Sequence, residues 1–211
     1  MPDYKGLPDS QADYIKKVAE ICVKLYPYTK ILPSVVISQA FLENGGGTAS
    51  DALVLTKNNN LVGIKSSLLT ETWSQYSVWD GRQILKNTPE VYNGVAVRIN
   101  DYFRVYSNYA ESLLDYEMFL TWAKSGSDYK YRAVVGMTDP REMITYIRNK
   151  GYATSLSYIE SVMRIINQYN LTKYDAEAGA IKTNTSTQTV QTSSTGYYRV
   201  ATAYANGKYS A

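Results

Sequence analysis

Apolar side chains recur at Ala12, Ile15, Val18, Ala19, Cys22, Val23 and Tyr26, close to the 3.6-residue period that lines one face of an α-helix. Ser10-Gln11-Ala12-Asp13 opens this amphipathic helix, and the sequence predicts its end before Pro27, which has no N–H for the helical ladder. A second helix is predicted from Pro33, a residue suited to a first turn, through Val35, Val36, Ala40 and Phe41 to Glu43. Gly45-Gly46-Gly47 stops it. Helical spacing returns from Ser107 to about Lys124, carried by Leu113, Leu114, Tyr116, Met118, Phe119, Leu120 and Trp122. Shorter helices are predicted over 129–136, over 139–149 with Asp139 as cap and Pro140 in the first turn, and over 155–169.

Residues 58–105 follow another rule. Trp73, Tyr76, Val78 and Trp79 precede Asp80-Gly81, while Val91-Tyr92 and Val95-Ala96-Val97 flank Asn93-Gly94. Two X-Gly pairs beside β-branched and aromatic residues predict hairpins. The fold class expected is α+β, mainly α, with a small β lobe set into a helical domain.

After Asp175 the composition changes. Residues 183–195 are a run of Ser, Thr, Gln and Asn broken by one Val, too polar to form a core. The expected organisation is a main folded domain over 1–175, a linker over 176–196 and the start of a further module over 197–211. There Tyr197-Tyr198-Arg199-Val200 alternates like a strand, and Tyr198-Arg199-Val200 faintly resembles the opening of a wall-binding SPOR-like module.

The chain has no histidine and a single cysteine, Cys22. No intrachain disulfide, no Ser-His-Asp or Cys-His triad and none of the usual zinc sites can be built from it. Hydrolytic chemistry would rest on carboxylates, Tyr, Lys or water, with neither metal nor cofactor. The net charge is +3, and residues 1–175 carry 19 basic against 18 acidic side chains, so phosphate-driven nucleic-acid binding is not supported. No apolar run approaches the roughly 18 residues of a membrane span. No secretory leader is visible at the start, so a site of action outside the cytoplasm would need another export route or a trimmed signal. Tyrosine dominates the aromatics, 21 against three Phe and three Trp, and its apolar face with a polar tip suits wet grooves and sugar rings.

Glu43 ends an otherwise apolar helix beside glycines that leave its carboxyl uncovered. Partial burial against Phe41 and Leu42, and the negative end of the helix dipole, would both disfavour its ionisation. From spacing alone, a helix-end Glu turned to solvent stays open.

Pro33-Ser34-Val35-Val36-Ile37-Ser38-Gln39-Ala40-Phe41-Leu42-Glu43-Asn44-Gly45-Gly46 resembles the motif of glycoside hydrolase family 73. Four further blocks are similar to that family's: Asn59 to Lys65, Thr88 to Gly94, Phe103 to Ser112, and Gly151-Tyr152-Ala153-Thr154. Together they cover about residues 30–170. Two departures stand out. Gly46 replaces the usual aromatic, and Ser155-Leu156 replaces Asp-Pro.

The resemblance implies a lysozyme-like helical domain whose β-hairpin lobe flanks an active-site cleft. It implies an endo-β-N-acetylglucosaminidase that cuts bacterial peptidoglycan, the glycan being its partner, with Glu43 as general acid. A second carboxylate would lie on the β lobe, Glu90 first and Asp80 and Glu71 as rivals. In a substrate-assisted route Tyr152 would instead orient the sugar's acetamide. Arg104 is expected in a structural ion pair. Asn59, Asn60, Trp79, Tyr106 and Tyr109 are candidate sugar contacts. The expected protein is a monomer with no membrane or nucleic-acid partner, residues 1–175 being its catalytic domain. With no leader seen, it would be a phage lysin, a virion-associated hydrolase, or a secreted protein with its signal trimmed. The competing readings are an N-acetylmuramidase or lytic transglycosylase on the same frame, and an inactive wall-binding module.

Overall fold

The computed structural model describes residues 9–46, 53–67, 73, 77–92 and 95–181. Seven α-helices and two small antiparallel hairpins follow in the order α1 (Asp9–Thr29), α2 (Pro33–Asn44), α3 (Leu53–Lys57), β1 (Gln83–Tyr92), β2 (Val95–Arg104), α4 (Tyr109–Trp122), β3 (Lys124–Ser125), β4 (Asp128–Tyr129), α5 (Pro140–Ile147), α6 (Tyr158–Gln168) and α7 (Thr172–Glu177). The mainly α, α+β class is as expected.

α2 is the axis of the helical part. Every residue from Pro33 to Ala40 is buried, and the helix packs against α1, α5, α6 and α7. A helix apolar on all sides needs that enclosure. Its last turn emerges from the core, so Phe41, Leu42 and Glu43 are progressively uncovered. α4 lies beside α1 and is almost as buried, with Leu113, Leu114, Tyr116 and Leu120 in the core. Its start is fixed by a capping box: Asn108 Oδ1 accepts from the Glu111 N–H, and Glu111 accepts from the Ser107 N–H.

β1 and β2 form one two-stranded lobe with Gln83 opposite Arg104 and Tyr92 opposite Val95. The hairpin tip at Asn93-Gly94 lies outside the described residues. The lobe is tied to the helices at its base. The Arg104 N–H donates to Ile64 O, the Val105 N–H to Arg82 O and the Tyr106 N–H to Asn58 O.

Three expectations need correction. α1 does not stop before Pro27 but carries it to Thr29. A proline this close to the end removes one ladder bond, while buried Leu25 and Tyr26 and the Thr29 hydroxyl on Leu25 O hold the turn. Asp80-Gly81 does not join two strands among the described residues. Asp80 instead folds back on Arg82, accepting from its backbone N–H and its guanidinium. Residues 129–136 are not a helix. A turn at Gly126 makes the β3–β4 tongue, and only Arg132–Val134 closes a single 3-10 turn. α7 itself runs to Glu177, and Ala180 just after it is buried. Residues 182–211, expected to hold most of the linker and the further module, lie outside the described residues.

Candidate active site

Glu43 stands one helical turn beyond Gln39 on α2, so both project from the same face. Gln39 is fully buried and joins two tyrosines from distant segments. The Tyr116 hydroxyl on α4 donates to Gln39 Oε1 at 2.8 Å, and Gln39 Nε2 donates to the Tyr158 hydroxyl on α6 at 3.1 Å. Tyr152 completes the group, its ring centroid 5.9 Å from that of Tyr116 and 6.0 Å from that of Tyr158. Glu43's charge is felt at all three hydroxyls.

Tyr152 is presented by a π-helical turn, Arg148–Tyr152, that continues α5. Gly151 adopts φ 85°, a left-handed backbone that glycine enters without strain, and this swings the tyrosine inward. Behind it Tyr131, at a centroid distance of 6.4 Å, and Phe119, 5.3 Å from Tyr131, extend the aromatic wall.

The Glu43 side chain is open to solvent, yet desolvation raises its carboxyl above the usual glutamate range. Both hold for a group that water still reaches while neighbouring protein displaces much of its hydration shell. Burial likewise pushes the hydroxyls of Tyr116, Tyr152 and Tyr158 up, so they stay protonated. The arrangement is a carboxyl biased toward its acid form among neutral hydroxyls. That suits proton donation to a leaving oxygen, with hydrogen bonding nearby.

α2 ends in a left-handed turn. Gly45 and Gly46 have φ 60° and 67°, and both N–H groups return to Phe41 O. A Cβ at Gly46 would stand 2.6 Å from the Phe41 ring. The departure at 46 is therefore built in, because Phe41 fills the space that a side chain there would need.

Of the other expected residues, several have different work. Asn60 is buried, donating to Ile64 O and Arg104 O and accepting from the Ile64 N–H. Tyr106 is buried and donates to Asp115 Oδ2 at 2.6 Å. Both side chains are buried and engaged within the fold. Asn59, in a left-handed turn, donates to Tyr106 O. The Trp79 ring has Arg104 over it at 4.5 Å, and its indole N–H donates to Arg82 O. Tyr109 packs edge-on to Tyr14 of α1, with Lys17 over its ring. The structure brings none of these five into the tyrosine group around Glu43.

Arg104 is in the ion pair the sequence suggested. Fully buried, it donates to Asp115 Oδ2 at 2.8 Å and to Ser77 Oγ, and its guanidinium lies 4.2 Å from the Trp73 ring centre. Burial raises the Asp115 carboxyl, and Arg104, Ser77 and Tyr106 draw it back.

Among the rival second carboxylates, Asp80 is raised by desolvation, but its hydrogen bonds and charge pairing with Arg82 together pull it below the usual range. It is committed to that pair. Glu90 takes its place on β1 opposite Val97, at the backbone level. Glu71 lies outside the described residues. No three His, Cys, Asp or Glu side chains among the described residues gather as a metal site would need.

Sequence reasoning missed Gln39, Tyr116 and Tyr158 as site residues. One signal was present: Gln39 is a large polar residue four before Glu43 in an otherwise mostly apolar helix.

Comparison with known proteins agrees with this frame. The family model of glucosaminidases, described as mannosyl-glycoprotein endo-beta-N-acetylglucosaminidase, matches residues 12–171. The exo-glucosaminidase LytG of Bacillus subtilis is 29% identical over 174 residues, covering 82% of this chain and 57% of that protein. A probable N-acetylmuramidase of Lactococcus lactis subsp. cremoris is 29% identical over 184 residues, covering 87% and 39%. The chain thus spans less than two thirds of the length of either relative. Among solved structures, the catalytic domain of the autolysin Auto from Listeria monocytogenes superposes with a TM-score of 0.64 at 26% identity, covering 82% of this chain and 92% of that one. A peptidoglycan hydrolase mutant from Sphingomonas sp. A1 gives 0.59 at 26%, covering 78% and 97%. With the match running from α1 to the end of α6, the chain belongs to the glucosaminidase family, glycoside hydrolase family 73.

Proposed function

We propose that this protein hydrolyses peptidoglycan at the β-1,4 bond after N-acetylglucosamine, with Glu43 protonating the departing oxygen. The observation that carries it is a carboxyl open to solvent yet raised by desolvation, seated beside three neutral tyrosine hydroxyls. Family membership supplies the bond class, and similar proteins named as an autolysin and a peptidoglycan hydrolase supply the substrate. The site of action is then the bacterial cell wall, with the protein working as a monomer. None of the described helices is long and apolar enough to cross a membrane.

Attack at the anomeric carbon has two routes. Glu90, carried on the hairpin lobe, would activate water or act as nucleophile once the lobe closes over a strand. In the substrate-assisted route the 2-acetamido oxygen attacks, and Tyr152 orients it by hydrogen bonding. The Tyr152 position beside Glu43 favours the second, because that hydroxyl is already in the site. The polar linker expected over 176–196 would act as a tether for a wall-binding module.

The relatives' names divide between glucosaminidase and muramidase, so the bond itself needs a direct assay. Digested peptidoglycan, reduced and examined by mass spectrometry, should carry reducing N-acetylglucosamine ends. Reducing muramic acid ends would assign the muramidase activity instead, and anhydro-muramic ends a transglycosylase.

A further inference from the structure

The β3–β4 tongue and the turn after it carry Lys124, Lys130 and Arg132 against one acid, Asp128. None of the three cations has a carboxylate partner or a side-chain hydrogen bond among the described residues; each rests on a ring instead. The Arg132 guanidinium sits 4.6 Å from the Trp122 ring centre and 4.5 Å from that of Tyr129. Lys124 lies over Tyr129 at 5.0 Å and Lys130 over Tyr131 at 5.1 Å. Elsewhere, by contrast, Arg82 pairs with Asp80, Arg141 with Glu160 and Lys65 with Asp101.

Two rings fix the Arg132 fork without using its N–H donors, leaving a preorganised receptor for a planar anion. Exposed ion pairs gain little because two floppy chains must be ordered, and here the protein half is ordered beforehand. The patch also has a defined place. Tyr131, under Lys130, is the ring that packs 6.4 Å from Tyr152, so Lys130 stands one ring from the tyrosines around Glu43, and Lys124 and Arg132 share the tongue beside it.

We infer that Lys124, Lys130 and Arg132 form a subsite for the carboxylates of the stem peptides that hang from the glycan strand. This rests on the peptidoglycan reading above and names what the site recognises beside the sugars. Stem peptides carry free carboxylates at regular intervals along the same strand that occupies the cleft. An anion covalently attached to the bound glycan gains from effective concentration in a way that a separate polymer does not.

The test compares two substrates, both stripped of teichoic acid: peptidoglycan with its stem peptides, and the same strands after the peptides are removed. The triple variant K124Q/K130Q/R132Q should lose about tenfold in kcat/KM on peptide-bearing strands, mostly through KM, which corresponds to about 1.4 kcal/mol. On bare strands it should stay within about twofold of wild type. With the unmodified protein, raising salt from about 50 to 500 mM should raise KM on peptide-bearing strands and spare bare ones. Equal losses on both substrates, or no loss on either, would overturn the subsite. A loss seen only when teichoic acid is left in place would assign the patch to that phosphate polymer and overturn it too. A wild-type protein inert on both substrates would instead overturn the hydrolase reading.

Discussion

The backbone N–H of Ser34 donates to Asp175 Oδ1 at 2.8 Å across 141 residues of sequence. The helix that carries Glu43 is therefore capped at its start by α7. Leu32, its own N-cap residue, has no side-chain acceptor to offer. Asp175 is wholly buried, and its other oxygen has no hydrogen-bond partner. Replacing it with Ala should cost about 1–2 kcal/mol in urea unfolding at neutral pH, since a buried N–H is left unmet. Asp175→Asn keeps an acceptor and should cost clearly less. Equal losses in the two variants would count against the cap.

Glu117 is an acid within the core. It is fully buried on α4, both its oxygens lack hydrogen-bond partners, and burial raises it to about 8. The unfolded chain releases this proton near pH 4.5 and the folded one only near 8. Its contribution to stability is therefore complete below 4.5 and lost as pH rises through 8. Asp175, raised by burial to about 6, acts in the same direction over a lower window. Glu117→Gln should flatten the decline and stabilise the protein at pH 7 by about 3 kcal/mol. Thermal unfolding at pH 5 and pH 8 reads it: parallel losses in variant and wild type would refute the assignment.

Arg104 and Asp115 pin the hairpin lobe to α4, with Ser77 and Tyr106 on the same carboxylate. Asp115→Ala strands a buried guanidinium and should cost about 3–5 kcal/mol. The double replacement Arg104→Met with Asp115→Leu should recover much of that loss, because no charge is left unpaired. Additive losses in the double-mutant cycle would show that the pair is not coupled.

Gln39→Leu removes the amide between Tyr116 and Tyr158 and leaves two buried hydroxyls without their partner. A stability loss of about 2–4 kcal/mol is expected. The rate should fall about tenfold through kcat, because the tyrosines beside Glu43 lose their alignment. Unchanged kcat in a folded variant would remove Gln39 from the site.

Much of the helical frame is legible in the chain because long apolar periods at 12–26 and 107–124 fix faces without help from distant residues. Asp139 is equally readable, capping α5 through the Glu142 N–H as local chemistry requires. The failures share a cause, a local signal overridden by packing far along the chain. Pro27 is carried by buried neighbours, and Asp80-Gly81 imitates a hairpin turn. The block from Phe103 to Ser112 looks rich in site chemistry. Yet its members hold the fold together: Arg104 and Tyr106 on Asp115, Glu111 in a capping box, and Ser112 accepting from the Leu61 N–H. Glu43 and Tyr152 were visible through motif and glycine context. Gln39, Tyr116 and Tyr158 were not, because their meeting depends on how α2, α4 and α6 pack.

The central claim concerns Glu43, and its most direct test is the pH profile of kcat/KM on purified peptidoglycan for wild type and Glu43→Gln. Desolvation raises this carboxyl, so the wild-type alkaline limb should fall at a pH above the 4.5 of an ordinary glutamate. The variant should fold normally, lose about 10²–10⁴-fold in rate, and show no such limb. A folded Glu43→Gln protein that releases reducing ends at the wild-type rate, with the same pH profile, would contradict the account.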